Sequence, residues 1–586
     1  MRQWMVAAKK ADFYAIAEKF HVDPVVARII RNREVIGEKN IRIYLGGNLL
    51  DLSDPHQMKD MDRLVEILAQ KIRKQVRIRI IGDYDVDGVT SSHLFLTALR
   101  RVGAKVDVVI PHRIQDGYGL SLHLLQQAKE DGVDTILTCD NGIAAIDEIA
   151  WAKAQKMTVL VTDHHAVPFE EHEGRRTEKK SLADAVVNPH QQDCGYPYKE
   201  LCGAGVAWNV IRVLYENYDM DKREAEDLLD FVAMATVCDV MSLTGENRIL
   251  VKEGLKRIRH TKNIGLQALM QACNVQPENI SAYHFGYVLG PCVNATGRLD
   301  TARHALRLFE TGQETEAEEI ARDLVDLNQE RKELTLQGVE MAKKLCEEGG
   351  YENDPVLVLF LPDVHESIAG LIAGRIREMY NRPVFVLTRG EEGVKGSGRS
   401  TENYSMYENM CGCAELFTKF GGHPMAAGLS LPEENVEKFR RKINENCPLT
   451  VEEVCPDIHI DMAMPVGYAS TELVHQFALL EPFGKDNPSP LFADRNLSIS
   501  RMWVIGKNRN VLRMSVLSEY GQPVPVIFFG DVETLFAYFT EKFGQKEVEN
   551  ALHGRKNRIL FSMVYTAKID FYQGNENLQL EMKYYR

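Results

Sequence analysis

The sequence predicts an α/β protein built on a doubly wound parallel sheet, followed by a smaller α/β domain and a carboxyl-terminal β-barrel. Between residues 76 and 188, short apolar strands alternate with helical segments, which indicates parallel strands joined by crossover helices. A second strand–helix–strand unit begins at residue 355. After residue 448, short alternating runs are typical of an antiparallel β domain resembling an OB-fold.

The composition is that of a globular protein. With 586 residues, 45% of them hydrophobic and 26% charged, the chain can form about three or four domains. It has no apolar run of about 18 residues, and charges interrupt its amino terminus, so we expect a cytoplasmic protein without a membrane partner. Its eleven cysteines form no C-x-x-C pair, which favours reduced thiols over structural zinc. The net charge of −14 argues against a protein that coats nucleic acid, although a local basic channel stays open.

The predicted elements follow in order along the chain. Strands of the first sheet are expected at 76–83, 106–111, 135–140, 157–163 and 183–188, with helices at 89–103, 120–132 and 144–155. A helical pattern without proline over 304–347 predicts one long connecting helix. We therefore expect an amino-terminal segment (1–70), the parallel-sheet domain (71–300), the connecting helix (301–350), a second α/β domain (351–447) and the β domain (448–586).

Acidic residues and histidines follow three of the predicted strands. Asp83, Asp85 and Asp87 follow the first strand, Asp140 the third, and Asp163-His164-His165 the fourth. The carboxyl ends of parallel strands line one edge of the sheet, so we expect these groups to converge. In an extended segment the three alternating aspartates would share one side. Asp239 follows an apolar helical run and needs a partner.

So many carboxylates in one pocket require a cation, because like charges would otherwise raise one another's pKa values. Oxygen ligands with one or two imidazoles and no thiolate favour two Mn²⁺ or Mg²⁺ ions. The pattern D-x-D-x-D-G at residues 83–88 could alternatively begin the calcium-binding loop of an EF-hand. This alternative is disfavoured because Leu94 occupies the twelfth loop position, where a glutamate is required.

These motifs resemble the DHH phosphoesterase superfamily. The segments DYDVDGVTS (83–91), DNG (140–142), TDHH (162–165) and CDV (238–240) resemble its four amino-terminal motifs, and GGHPMAAG (421–428) its DHHA1 domain. Five further segments resemble those of the bacterial branch of single-strand-specific exonucleases. The whole resemblance runs from about residue 30 to beyond residue 530. The five segments are PHRIQDGYGL (111–120), VNATGRL (293–299), HESIAGLIAGRI (365–376), GSGRS (396–400) and LEPFGKDNPSPLF (480–492).

The resemblance implies a set of metal ligands. It assigns Asp140 as the bridge between two ions and His165 as the group that faces the scissile phosphate. Many relatives have a histidine four residues before Asp85, where this chain has Ile81, and Asp83 is expected to replace that ligand. The implied ligands are Asp83, Asp85, Asp87, Asp140, His164 and Asp239.

Phosphate-binding residues are expected around the metal site. Arg113, Ser397 and Arg399 are candidates for a 5′-phosphate pocket, with a solvated loop arginine as the alternative for Arg113. Arg298, next to Asn294, is a phosphate ligand or a structural interdomain arginine. His423 and His365 are less specific candidates, and a structural histidine is the alternative for His423. In the β domain, Trp503, Lys507, Arg509 and Arg513 are candidates for strand binding, or else a core tryptophan and surface charges.

The function implied is a two-metal-dependent 5′→3′ exonuclease that degrades single-stranded DNA to 5′-mononucleotides in recombination and repair. Single-strand-binding protein and a repair helicase are expected partners. Two alternatives remain: a DHH/DHHA1 phosphodiesterase acting on oligoribonucleotides or cyclic dinucleotides, and a catalytically inactive DNA-binding scaffold.

Overall fold

The computed structural model describes residues 3–113, 116, 119–172, 175–390, 393–455, 457–506, 510–572 and 574–586. These residues form two compact units. The larger contains residues 52–241 and 249–455, and the smaller contains residues 3–51, 242–248 and 457–586. Among the described helices, none combines the length and apolar character that a bilayer span requires.

The first part of the chain supplies three short helices and then the parallel sheet. Its elements are β1 (Trp4–Val6), α1 (Phe13–Phe20), α2 (Pro24–Asn32), α3 (Glu38–Gly46), α4 (Met61–Arg73), β2 (Arg77–Ile81), α5 (Val86–Arg101), β3 (Lys105–Val109), α6 (Leu122–Glu130), β4 (Thr135–Cys139), α7 (Ile146–Ala154), β5 (Thr158–Thr162), β6 (Phe169–His172), β7 (Arg175–Glu178) and β8 (Ala185–Val187).

The predicted doubly wound sheet is confirmed. Its strand order is β3-β2-β4-β5-β8, and every pairing is parallel. The chain starts at β2, places β3 on one side, and then returns to place β4 on the other. Ligands bind at such a reversal, outside the carboxyl ends of the strands. The loops after β2 and β4 are therefore the expected position of a site.

Helices follow, and one of them differs from the prediction. The pattern over 304–347 is not one helix, because the chain breaks between Glu310 and Glu314. Thr311 Oγ1 accepts a hydrogen bond from the Gln313 backbone N–H and donates one to Glu316, which forms a turn that competes with the helix. The elements are α8 (Gly203–Asn217), α9 (Lys222–Glu226), α10 (Leu229–Cys238), α11 (Gly245–Ile258), α12 (Ile264–Ala272), α13 (Ala282–His284), a π-helical segment (Phe285–Leu289), α14 (Gly290–Leu299), α15 (Ala302–Glu310) and α16 (Glu314–Glu348).

The second α/β domain is a five-stranded sheet in the order β12-β13-β11-β10-β9. Only β9 and β10 are parallel to each other, as the strand–helix–strand pattern predicts. Apolar residues of α16 and α17, including Val339 and Ile372, share one core. The elements are β9 (Leu357–Phe360), α17 (Glu366–Tyr380), β10 (Val384–Gly390), β11 (Gly393–Arg399), α18 (Met406–Cys411), β12 (Lys419–His423), β13 (Ala426–Leu431), α19 (Val436–Glu445) and α20 (Val451–Val454).

The last part of the chain forms the predicted β-barrel. Six strands run in the order β15-β16-β17-β18-β20-β19, and an additional pairing of β16 with β19 closes the sheet. The elements are β14 (Ile458–Ile460), β15 (Met462–Ala463), α21 (Thr471–Phe477), β16 (Phe492–Ile505), β17 (Val511–Leu517), β18 (Pro523–Phe529), α22 (Val532–Phe543), α23 (Gln545–Leu552), β19 (Leu560–Tyr572) and β20 (Asn575–Tyr585).

The amino-terminal helices belong to the core of this barrel. Val26 and Ile30 of α2 lie in the same apolar cluster as Met502 and Phe561. The guanidinium of Arg33 forms a buried ion pair with Asp461 at 2.8 Å. Segment 242–248 is also fixed in this unit, because the buried Arg248 donates hydrogen bonds to the backbone carbonyls of Tyr44, Leu479 and Leu480.

Candidate metal centre and phosphate cleft

The loop after β2 is a turn that leads into a helix. The expectation of an extended D-x-D-x-D segment is wrong, because α5 begins at Val86. Asp85 caps this helix by accepting a hydrogen bond from the Gly88 backbone N–H at 3.0 Å. Aspartate is among the preferred residues at this position, so the motif itself starts the helix. Asp83 consequently lies in the turn and Asp87 in the first helical turn.

Asp87 is held by the first residues of α8. Its carboxylate accepts hydrogen bonds from the backbone N–H groups of Gly203 at 2.6 Å and Ala204 at 2.8 Å. The positive end of a helix favours such an anion. A Cβ atom on Gly203 would lie 2.7 Å from the Cβ of Asp140, so only glycine allows α8 to approach both carboxylates.

His164 brings three carboxylates together. Its Nε2 lies 3.1 Å from Asp140 Oδ1, 3.7 Å from Asp87 Oδ2 and 3.6 Å from Asp239 Oδ2. Ligands about 2.1 Å from one octahedral ion are separated by about 3 Å, so these distances suit a shared cation. Oxygen atoms of Asp83, Asp85 and Asp140 form a second group within 4.8 Å of one another. Asp140 lies close to the ligand atoms of both groups.

The electrostatics of these groups fit divalent cations. Burial, followed by the charge of Asp85, raises the pKa of Asp83 well above its ordinary value. Burial and the neighbouring carboxylates also raise the pKa values of Asp85 and Asp140. Among the described residues, both carboxylate oxygens of Asp83 and Nε2 of His164 are buried without a hydrogen-bond partner. Carboxylates and an imidazole without a thiolate suit Mn²⁺ or Mg²⁺, which would supply the missing partners.

His165 is oriented by an aspartate that the resemblance does not assign. Its Nδ1 lies 2.7 Å from Asp163 Oδ1, while Asp163 Oδ2 accepts a hydrogen bond from the Ile143 backbone N–H at 2.9 Å. Burial lowers the pKa of His165, but the hydrogen bond with Asp163 and the charges of Asp163, Asp239 and Asp87 together outweigh burial and raise it to about 9. At Asp163 burial raises the pKa, but the same hydrogen bond, the charges of His165 and His164 and the hydrogen bond from the Ile143 N–H together lower it. The pair therefore holds a proton beside the carboxylate cluster.

A cleft of about 480 Å³ lies between the parallel-sheet domain and the second α/β domain. We call it the phosphate cleft. Tyr84 and Arg113 line one side, with the Arg113 guanidinium 4.9 Å from the centre of the Tyr84 ring. Ser397, Lys395 and Lys419 are among the residues on the other side. The cleft begins in the same loop that supplies Asp83 and Asp85.

Further arginines surround the phosphate cleft. Arg298 donates a hydrogen bond to the Ser367 carbonyl at 2.6 Å, and Arg399 donates one to the Gly398 carbonyl at 2.7 Å. Burial and the charges of Arg113, Arg331 and Arg399 lower the pKa of Arg298 to about 10. Cations packed this closely favour binding of an anion, because an anion relieves their repulsion.

Other predicted residues have different positions. His365 caps α17 by accepting a hydrogen bond from the Ser367 backbone N–H, and Asn294 Oδ1 accepts one from the Val86 N–H at 3.2 Å. His423 is exposed at the end of β12 and does not line the cleft.

In the β-barrel, Trp503 and Arg513 are paired on β16 and β17 and partly exposed. The Arg501 guanidinium lies 5.7 Å from the centre of the Trp503 ring, so this face of the barrel presents an aromatic ring among cations. The two other barrel candidates, Lys507 and Arg509, lie outside the described residues.

Three family models match the chain. Residues 77–236 match the amino-terminal domain of the DHH family, residues 353–447 the DHHA1 domain and residues 460–584 the RecJ OB domain. The chain is 32% identical over 582 residues to the single-stranded-DNA-specific exonuclease RecJ of Haemophilus influenzae, a match that covers 96% of both proteins. The chain belongs to the RecJ family.

Other RecJ proteins are similarly related. The Escherichia coli protein is 32% identical, with 95% of each chain covered. The Bacillus subtilis protein is 33% identical over 512 residues, which are 87% of this chain but 63% of that protein. The crystal structure of Thermus thermophilus RecJ with Mn²⁺ matches with a TM-score of 0.81 and 25% identity, covering 100% of this chain and 79% of that one. A manganese-bound exonuclease RecJ is 32% identical over 66% of this chain, with a TM-score of 0.57 and 94% of that chain covered.

Two residues at the RecJ site have roles that were not predicted from the sequence. Asp163 stands directly before His164 at a strand end, so its position alone could have identified it. Arg331 lies on α16, where it donates hydrogen bonds to Asn328 and raises the positive potential around Arg298. Nothing in the sequence distinguishes Arg331 from the other charged residues of this helix.

Proposed function

We propose that the chain is a metal-dependent exonuclease that degrades single-stranded DNA from its 5′ end to 5′-mononucleotides. The observation that carries this proposal is the position of the metal centre directly beside the phosphate cleft. Bound Mn²⁺ or Mg²⁺ would activate water and stabilise the charge that develops on the scissile phosphate.

The residues of the chain have distinct roles in this proposal. Asp83, Asp85, Asp87, Asp140, His164 and Asp239 would hold the ions. His165, fixed by Asp163, donates a hydrogen bond or a proton to the phosphate. Arg113, Ser397 and Arg399 bind the terminal 5′-phosphate, which sets the direction of degradation. Arg298 contacts a phosphate in the same cleft.

The first test is the Asp140→Ala variant with Mn²⁺ and a 3′-labelled single strand carrying a 5′-phosphate. We expect turnover to fall by more than the roughly 10²–10³-fold that removal of one stabilising hydrogen bond causes. Strand binding should persist, because the phosphate cleft is intact. The exposed Asp147 on α7 provides a matched control, and Asp147→Ala should keep full activity. Unchanged turnover in Asp140→Ala would refute the metal assignment.

The alternatives predict different results with the wild-type protein. A phosphodiesterase for short oligonucleotides would cleave only very short substrates. An inactive scaffold would bind without cleavage, but the complete set of metal ligands argues against it. The RecJ OB domain argues for longer single strands, because OB-folds bind them through cations and aromatic rings.

The cellular setting follows from the same proposal. We expect the enzyme to act in the cytoplasm in recombination and repair, supplied with single strands by a helicase and assisted by single-strand-binding protein. Pull-down of each partner with the full chain, with and without DNA, would test these associations.

A further inference from the structure

Two tyrosines on the segment before α14 are exposed and stacked on each other. Tyr283 is 62% exposed and Tyr287 is 71% exposed. Their ring centres are 5.1 Å apart, with 23° between the ring planes. Large aromatic side chains lose favourable burial in such a position, and exposed apolar patches in soluble proteins commonly mark binding surfaces.

The segment that carries these tyrosines is held in place. Ser281 and His284 form a capping box at the start of α13, and the His284 ring lies edge-on to Tyr283 at 5.7 Å. The π-helical turn that follows contains Tyr287. Single π-helical turns within helices occur frequently at functional sites. The rings are therefore presented by an ordered backbone.

The same segment packs against the helix that supplies a metal ligand. The Cys238 thiol donates a hydrogen bond to the Phe285 carbonyl at 3.3 Å, and Asp239 is the next residue. Gly290 also lies close to Cys238, since a Cβ on Gly290 would come within 2.2 Å of its sulfur. The Asp239 side chain is 26% exposed, so the metal centre is accessible to solvent at this residue.

From the tyrosines the chain continues directly to the phosphate cleft. Asn294 of α14 accepts a hydrogen bond from the Val86 N–H at the start of α5, and Arg298 donates one to the carbonyl of Ser367, which lines the cleft. Seven helical residues span about 10 Å, so Tyr287 and Asn294 are separated by roughly that distance along the segment. The tyrosines thus lie on the same stretch of chain as residues that contact the metal centre and a residue of the cleft.

We propose that Tyr283 and Tyr287 form a stacking platform for an unpaired base of the strand, a short distance from the scissile phosphate. The inference rests on the proposed exonuclease function and adds a base-binding site to it. Aromatic rings bind the face of any base, so the platform would position the strand without sequence preference. Bases within a duplex are already stacked on both faces, so the platform favours single strands.

The main test is the double variant Tyr283→Ala/Tyr287→Ala in the full chain with Mn²⁺. We expect KM for a long single strand to rise on the order of five- to a hundredfold, as for the loss of one stacked base, with kcat little changed. The variant Tyr283→Phe/Tyr287→Phe keeps the rings and should restore the wild-type KM. Leu336 on α16 is 63% exposed, and Leu336→Ala is the matched control for loss of apolar surface.

A scan with abasic substrates separates stacking from a general effect. One base is removed at successive positions from the 5′ end, and binding is measured in the presence of a chelator. In the wild type, removal of the base at one particular position should weaken binding. In the alanine double variant, removal of the base at that position should weaken binding no further. The platform would be refuted if removal of a base weakened binding equally at every position, or if KM were unchanged in the alanine double variant. Failure of the wild type to degrade single strands would instead overturn the proposed function.

Discussion

Asp140 shows how much of the metal centre is determined by single residues. Its φ angle of 61° is in the left-handed region, which non-glycine residues rarely adopt. This backbone conformation follows directly after β4 and turns the carboxylate toward His164. The strain is located where Asp140 must reach both groups of ligands.

At the phosphate cleft, Arg399→Ala should raise KM for strands with a 5′-phosphate more than for strands with a 5′-hydroxyl. A charge-assisted hydrogen bond contributes about 1.5–3 kcal/mol, so the difference should be on the order of ten- to a hundredfold. Parallel steady-state kinetics on both substrates measure it. Arg389→Ala on β10, an exposed arginine paired with Glu433, is the control. Equal effects on both substrates would remove Arg399 from the pocket.

The buried carboxyl group of Asp230, at the start of α10, should make the stability of the folded protein depend on pH. Burial raises its pKa from an ordinary 3.8 to about 6, although Thr261 donates a hydrogen bond to it. The folded state therefore binds the proton more tightly, and stability is lost as the pH rises through about 6. Asp230→Asn should remove this loss and stabilise the protein at pH 8 by up to about 3 kcal/mol.

Thermal unfolding at pH values from 4 to 8 would measure the effect of Asp230. In the wild type, the unfolding midpoint should fall as the pH rises from the ordinary pKa of Asp230 to its raised pKa. This contribution to the pH dependence should be absent in Asp230→Asn. Asp147→Asn, at an exposed position on α7, should keep the wild-type slope of the midpoint against pH. A variant with the same slope as the wild type would contradict the prediction.

Among the elements, α8 has the most direct effect on the metal centre, because its first residues hold Asp87. Gly203→Ala would place a methyl group against Asp140, and we expect a 10- to 100-fold loss of activity or metal affinity, as is typical for residues that support metal ligands. Metal titration and kcat measure this. Gly374→Ala in α17, where a Cβ meets nothing within 4 Å, is the matched control and should be neutral or stabilising.

The elements also show what the sequence could and could not predict. Apolar strands that end in acidic residues predicted the parallel sheet and the convergence of Asp140 and His164. The helix start at Val86 was missed, because the capping role of Asp85 was read as part of an extended segment. The break at Thr311 was missed because a side-chain turn leaves no mark on hydrophobic periodicity. Arg331 acts only through its neighbours in space, which a single sequence does not reveal.

For the molecule as a whole, the metal centre should contribute to stability. An ion that binds only the folded state stabilises it by about 2.7 kcal/mol when its concentration is 100 times Kd. Addition of Mn²⁺ to chelator-treated protein should therefore raise the Tm of the larger unit. Asp140→Ala should abolish most of this shift, while Asp147→Ala keeps it. Equal shifts in all three proteins would show that Mn²⁺ binds elsewhere.

The smaller unit combines residues 3–51 with residues 457–586, and this has a consequence for biosynthesis. The apolar faces of α1 and α2 leave the ribosome before the barrel strands that cover them, which are translated about 400 residues later. At 5–20 residues per second this delay is roughly 20–80 s. During that time the nascent chain exposes Val26 and Ile30 to solvent. Newly made protein would therefore depend on chaperones that shield α1 and α2 until the barrel strands have been translated.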